Sequence, residues 1–225
     1  MVCRVMSLSE ILNNIRELAL KKDGLRQEIQ VIARRTTRLS KQAIFLTHRD
    51  RIEEAENLLK EAGANLSRLA EISKLHLDLF YTGLVDSAFE EYAEAQIFLG
   101  LIKNGRFLGP SDINVPDEAY ALGLADVIGE LRRRALDLIR RGDIEGAERC
   151  LDIMETIYTE LIGCDELLIL IPGLRRKCDT GRRVIEATRG DVTTEARRMV
   201  LNNLMRELQR TLESRIDYGR EPGRG

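Results

Sequence analysis

The 225-residue chain is predicted to be all-α, an antiparallel bundle of six to seven helices, from three observations. Charged residues make up 32% of the sequence and aromatics 4%, with no Trp and only 4 Pro, a balance that favours long helices over strands. Apolar residues recur at steps of three and four over long stretches, the period of a helix with one buried face. The punctuation between those stretches is short, and short connections make neighbouring helices antiparallel.

From Ser9 to about Arg51 there is no Pro and only Gly24, so a very long helix or a helix pair is expected. Ile52, Ala55, Leu59, Ala62, Leu66 and Leu69 then alternate steps of three and four, the seam of a helix lying nearly parallel to a partner. Gly83 marks a break before a helix over Leu84 to Lys103, ended by Asn104-Gly105. The stretch from Gly109 to Asp117 reads as the one long loop. Asp117 is positioned to cap a helix that continues to Arg141, where Gly142 closes it.

Asp143 caps the next helix, whose stripe is Ile144, Ala147, Leu151, Met154 and Leu161. Asp165 to Pro172 is too short to assign. Two helices are expected beyond Pro172-Gly173, Leu174 to about Thr188 and Thr194 to about Ser214, separated by Arg189-Gly190-Asp191. The length suits one domain over residues 1–216, and the Gly-rich, charged tail 217–225 reads as disordered.

A net charge of -2 excludes a protein whose whole surface binds nucleic acid, but leaves room for a local basic stripe. Cys3, Cys150, Cys164 and Cys178 are far apart in sequence with no His beside them, so buried free thiols are expected rather than a zinc or redox site. No apolar run approaches the roughly 20 residues that span a bilayer, and the amino end lacks a signal-peptide core, so a cytoplasmic protein without membrane contact is expected.

Two acidic clusters carry the chemistry. Glu91 and Glu94 share a helical face with Leu84, Ala95, Phe98 and Ile102, an unusual place for charge, because a buried carboxylate needs a metal, an arginine or water. Asp126 and Glu130 lie opposite the apolar stripe of their own helix, where a solvated face and a Glu130–Arg134 pair are the plainer reading. His48 and His76 are the only histidines and sit in neither cluster, so an oxygen-only site for Mg²⁺ or Mn²⁺ is the matching chemistry, used on phosphate esters.

A basic stripe stands apart from these acids. Arg34, Arg38, Lys41, Phe45, His48 and Arg49 share one face of the first helix, opposite Ile29, Ile32, Leu39, Ala43 and Leu46. Cations along a groove follow a phosphate backbone, and an aromatic among them stacks on a base. A solvated helix face with Phe45 packed on a neighbour explains the same pattern. Arg175, Arg176, Lys177, Arg182 and Arg183 form a second cluster with the same two readings.

Three segments, Ser40 to Arg49, Phe89 to Ala95 and Tyr120 to Leu131, taken in this order, resemble the translin family and within it the catalytic branch, translin-associated factor X. The resemblance spans most of the chain. It implies a translin-like subunit of a hollow homo-octameric shell that binds single-stranded RNA, and ssDNA, on its inner surface and cuts RNA there. It implies that Glu91, Glu94, Asp126 and Glu130 are both catalytic and metal-ligating, with Mg²⁺ or Mn²⁺ as cofactor and no organic small molecule. The loop around Pro110 to Pro116 is shorter than in the eukaryotic catalytic branch. Two other classes stay open: a non-catalytic single-strand-binding shell, and an all-α nucleoside triphosphate pyrophosphohydrolase, since Glu90-Glu91-Tyr92-Ala93-Glu94 also fits an E-E-x-x-E pattern.

Overall fold

The computed structural model describes residues 7–75 and 83–218, and every regular element among them is helical. The helices are α1 (Leu8–His48), α2 (Ile52–Leu75), α3 (Gly83–Asn104), α4 (Pro110–Ile113), α5 (Asp117–Arg141), α6 (Ile144–Ile162), α7 (Asp165–Leu170) and α8 (Leu174–Tyr218). Of the tail 217–225 expected to be disordered, Asp217 and Tyr218 are the last residues of α8, and the rest, like His76, lies outside the described residues. None of the described helices is long and apolar enough to cross a membrane.

The chain forms two compact units, one of residues 1–127 with 165–177, the other of 128–164 with 178–225. In the first unit α1 packs along α2 and α3. A complete capping box starts α1: the Ser7 hydroxyl accepts from the Glu10 N–H, and the Glu10 carboxylate accepts from the Ser7 N–H at 2.7 Å. Gly24 does not interrupt the helix. Buried Thr36, Ser40 and Thr47 donate their hydroxyls to carbonyls four residues back, which satisfies those three side chains within α1 itself.

On α2, Ala55, Leu59, Ala62, Leu66 and Leu69 are all buried, as the seam spacing predicts. Arg35 of α1 meets Glu61 of α2 at 2.6 Å, and Lys103 of α3 pairs with Glu56 of α2. Helix α3 is buried on most of its circumference, with Phe98 and Ile97 fully enclosed. Burying such a side chain stabilises by about 1.5–3 kcal/mol, which fixes α3 as the central element of this unit. The expected loop after α3 contains the one-turn helix α4, closed by Asn114 in the left-handed region at φ 54°. Asp117 is the first residue of α5 rather than its cap, since the Pro116 carbonyl already accepts from the Tyr120 N–H.

In the second unit Gly142, at φ 82°, closes α5, and the Asp143 carboxylate accepts from the Gly146 N–H at 2.8 Å to cap α6. Ile144, Ala147, Leu151, Met154 and Leu161 are buried as predicted. The expected break at Arg189-Gly190-Asp191 does not occur, and α8 runs unbroken for 45 residues. A helical glycine costs only about 1 kcal/mol, and its neighbours outweigh that. Arg189 pairs with Glu155 at 2.8 Å, Asp191 with Arg132 at 3.1 Å, and the Thr188 hydroxyl accepts from the same Arg132 at 2.9 Å.

Cys150 and Cys178 are buried free thiols, and burial pushes Cys150 up to about 11. Cys164 is exposed, contrary to the expectation of burial, while Cys3 lies outside the described residues. Two helix ends show bare apolar rows: Leu8, Leu12 and Ile15 on α1, and Leu201, Leu204, Leu208 and Leu212 on α8.

Candidate functional site

The acids of α3 lie where the sequence places them, against the core. Glu94 is buried at 9% exposure. Glu91 is half-buried, and its Oε1 lies 3.0 Å from Lys41 Nζ of α1. The cation beside Glu91 is thus a largely exposed lysine of the basic stripe.

Helix α5 reaches the same turn of α3 because of one glycine. A Cβ at Gly123 would stand 2.8 Å from the Glu90 carbonyl oxygen, 2.8 Å from the Glu94 nitrogen and 2.9 Å from Ala93 Cβ. Only a residue without a side chain allows that approach. Asp126 follows one turn later and is half-buried, not solvated. Its Oδ2 accepts from Lys177 Nζ at 2.5 Å, and Glu90 Oε1 binds the same ammonium.

Burial raises Asp126 to about 6; the hydrogen bond and charge of Lys177 pull it down, and Glu90 pushes it further up. For Lys177 burial works against the charge, but its bonds to Asp126 and Glu90 outweigh that and its pKa is raised. Desolvation wins at the carboxylate and pairing wins at the ammonium. The triad is therefore a polar knot inside the first unit, with a net negative charge when all three groups are ionised.

Glu130, in the second unit, lies 3.8 Å from Arg133 on the next turn of α5 and is half-buried. Among the described residues, no three His, Cys, Asp or Glu side chains are gathered so as to hold a metal as they stand. Glu90 and Lys177 escaped the sequence reading. Glu90 was visible only as a member of the E-E-x-x-E pattern, and Lys177 only as one of five cations in a cluster that looked like surface.

The basic stripe forms a groove. Arg34, Arg38, Lys41 and Phe45 of α1, with Leu84 and Ser87 of α3, line a cavity of about 470 Å³. Phe45 is 42% exposed and carries the Arg49 guanidinium 4.3 Å above its ring centroid. A second cavity of about 510 Å³ shares Phe45, with Leu46, Glu54 and Asn57. His48 departs from the expected face: it is buried, with its ring 4.7 Å from Phe98, because the helix turns that position inward beside Ile44 and Thr47. Lys41 belongs both to the groove and to the Glu91 pair, so the cationic wall and the acids meet at one residue.

A family model described as the translin family matches residues 24–187. An uncharacterized protein of Methanocaldococcus jannaschii, MJ0175, is 30% identical over 208 residues, 91% of each chain. Among solved structures, AfC3PO in complex with duplex RNA is 32% identical, with a TM-score of 0.73, covering 82% of this chain and 96% of that one. Apo-NeC3PO is 25% identical, with a TM-score of 0.74, covering 85% and 99%.

Proposed function

Since the chain belongs to the translin family, we propose that it is an RNA-binding subunit of a self-assembled shell, homo-octameric and cytoplasmic, that cuts RNA with Mg²⁺ or Mn²⁺. The observation that carries this reading is Lys41, which lines the basic groove and pairs with Glu91, so that bound strand and acids are adjacent. The duplex RNA of the AfC3PO complex supports RNA as the ligand and adds double-stranded RNA to the single strands expected from the stripe.

Arg34, Arg38 and Lys41 hold phosphates as point charges and forks, and Phe45 offers a ring face to a base. Glu91, Glu94, Asp126 and Glu130 are the proposed metal ligands and catalytic acids, in keeping with the catalytic branch, translin-associated factor X. Their donors are all carboxylate oxygens, the kind that hard divalent ions take, and Asp126 already shares a cation, the Lys177 ammonium. When bound, the ion would polarise the phosphodiester and supply hydroxide. The groove's part is to fix the strand relative to the acids, which removes the entropy of bringing them together.

Labelled single-stranded and duplex RNA, with Mg²⁺ or chelator, beside the Glu91→Ala, Glu94→Ala double variant, tests the reading. Cleavage that needs both the ion and the acids is expected. Cleavage by the double variant at the native rate sinks it. A non-catalytic binding shell is the second reading, favoured by the lysines that hold Glu91 and Asp126; retained but uncut RNA would establish it. Family membership weighs against a triphosphate pyrophosphohydrolase.

A further inference from the structure

Lys177 enters the first unit at the start of α8, and its side chain is 21% exposed, beside Glu90 at 23% and Asp126 at 33%. One ammonium thus bridges two carboxylates, leaving one negative charge, in a partly buried place where water screens less than at the surface. A divalent ion on Asp126 would bring two further positive charges to the oxygen that Lys177 already contacts, and the two cations would repel each other by many times the thermal energy. Lysine has a flexible four-carbon stem and a compact charge, so its head can move without the helix moving. Glu90 is the second holder of that head, on the α3 turn that carries Glu91 and Glu94.

We propose that Lys177 is a resident counter-ion of the acid pocket, which a divalent ion must displace from Asp126 and which Glu90 then retains. This rests on the metal reading above and assigns roles to two residues outside the proposed ligand set. It accounts for how the acid pocket offsets part of its own charge. Metal affinity then follows from a competition between the ion and Lys177, and Glu90 tilts that competition toward the ion by giving the ammonium somewhere to go.

Two measurements on the full chain test it. The first follows acetylation of Lys177 by acetic anhydride with mass spectrometry, with and without Mn²⁺. The second is titration calorimetry with Mn²⁺ on the native protein, Lys177→Met and Glu90→Gln. Lys177 is expected to react at least about threefold faster when Mn²⁺ is bound, because a lysine head released from one of its two carboxylates is more readily reached by the reagent. Lys177→Met is expected to tighten Mn²⁺ about tenfold and Glu90→Gln to weaken it about threefold. Mn²⁺ that binds while Lys177 reactivity and the Lys177→Met affinity stay at native values overturns the proposal and leaves the metal reading standing. No binding to either the native protein or Lys177→Met removes the metal reading and the proposal with it. Should Lys177→Met fail to fold, native acetylation and Glu90→Gln decide alone.

Discussion

The groove and the acid pocket are each organised around a lysine, and the two lysines live in different surroundings. Lys41 is 62% exposed where it meets Glu91, whereas Lys177 is 21% exposed between Glu90 and Asp126. An exposed pair contributes about 0–1 kcal/mol and exchanges partners freely. A partly buried pair is screened less by water and costs more to break than an exposed one. Lys41 is thus suited to trade a carboxylate for a phosphate, and Lys177 to hold its carboxylates until a stronger cation arrives. On the proposed reading, one residue type serves recognition in one place and charge balance in the other.

The comparison is broken most severely by removing the acids. Glu94→Ala is expected to lower RNA cleavage by orders of magnitude while leaving RNA affinity within about twofold, because the groove is untouched. A rate assay alongside filter binding checks both halves. Next is Gly123→Ala, which should destabilise by about 3 kcal/mol, since the added methyl meets α3 backbone rather than a flexible side chain. Thermal unfolding would register it, and a native melting temperature would mean that α5 does not lie so close to α3.

A smaller effect separates groove from pocket. Neutralising Arg34, Arg38 and Lys41 together should reduce the slope of log affinity against log salt by about 2 for single-stranded RNA. Lys41→Met alone should change stability by less than about 0.5 kcal/mol, which a chemical denaturation curve can bound. The pocket also has its own pH signature. Asp126 binds its proton more tightly in the folded chain, with a pKa of about 6 against 3.8. Its contribution to stability is therefore full below pH 3.8 and lost as pH rises through about 6. Asp126→Asn should remove that part of the pH dependence in unfolding experiments between pH 4 and 6.

Much of the helical layout was legible because it depends on local signals. The α2 seam and the Asp143 cap need only spacing and one side chain to be recognised. The unbroken α8 was not legible, because Gly190 is overruled by Arg132 and Glu155, which are distant in sequence. Glu94 was legible as a charge on an apolar face, and that face is buried. His48 was misplaced because a helical wheel sorts residues by angle, while burial depends on which neighbour arrives, here Phe98. Glu90 and Lys177 were hidden for the same reason: their partnership is made across 87 residues.

The long α8 has a further consequence. At 1.5 Å per residue its 45 residues extend about 67 Å, and its last turns hold Leu201, Leu204, Leu208 and Leu212 out in water. A subunit with that row uncovered folds at a disadvantage that only association removes. Its melting temperature should then rise with protein concentration, and dilution alone should act as a mild denaturant.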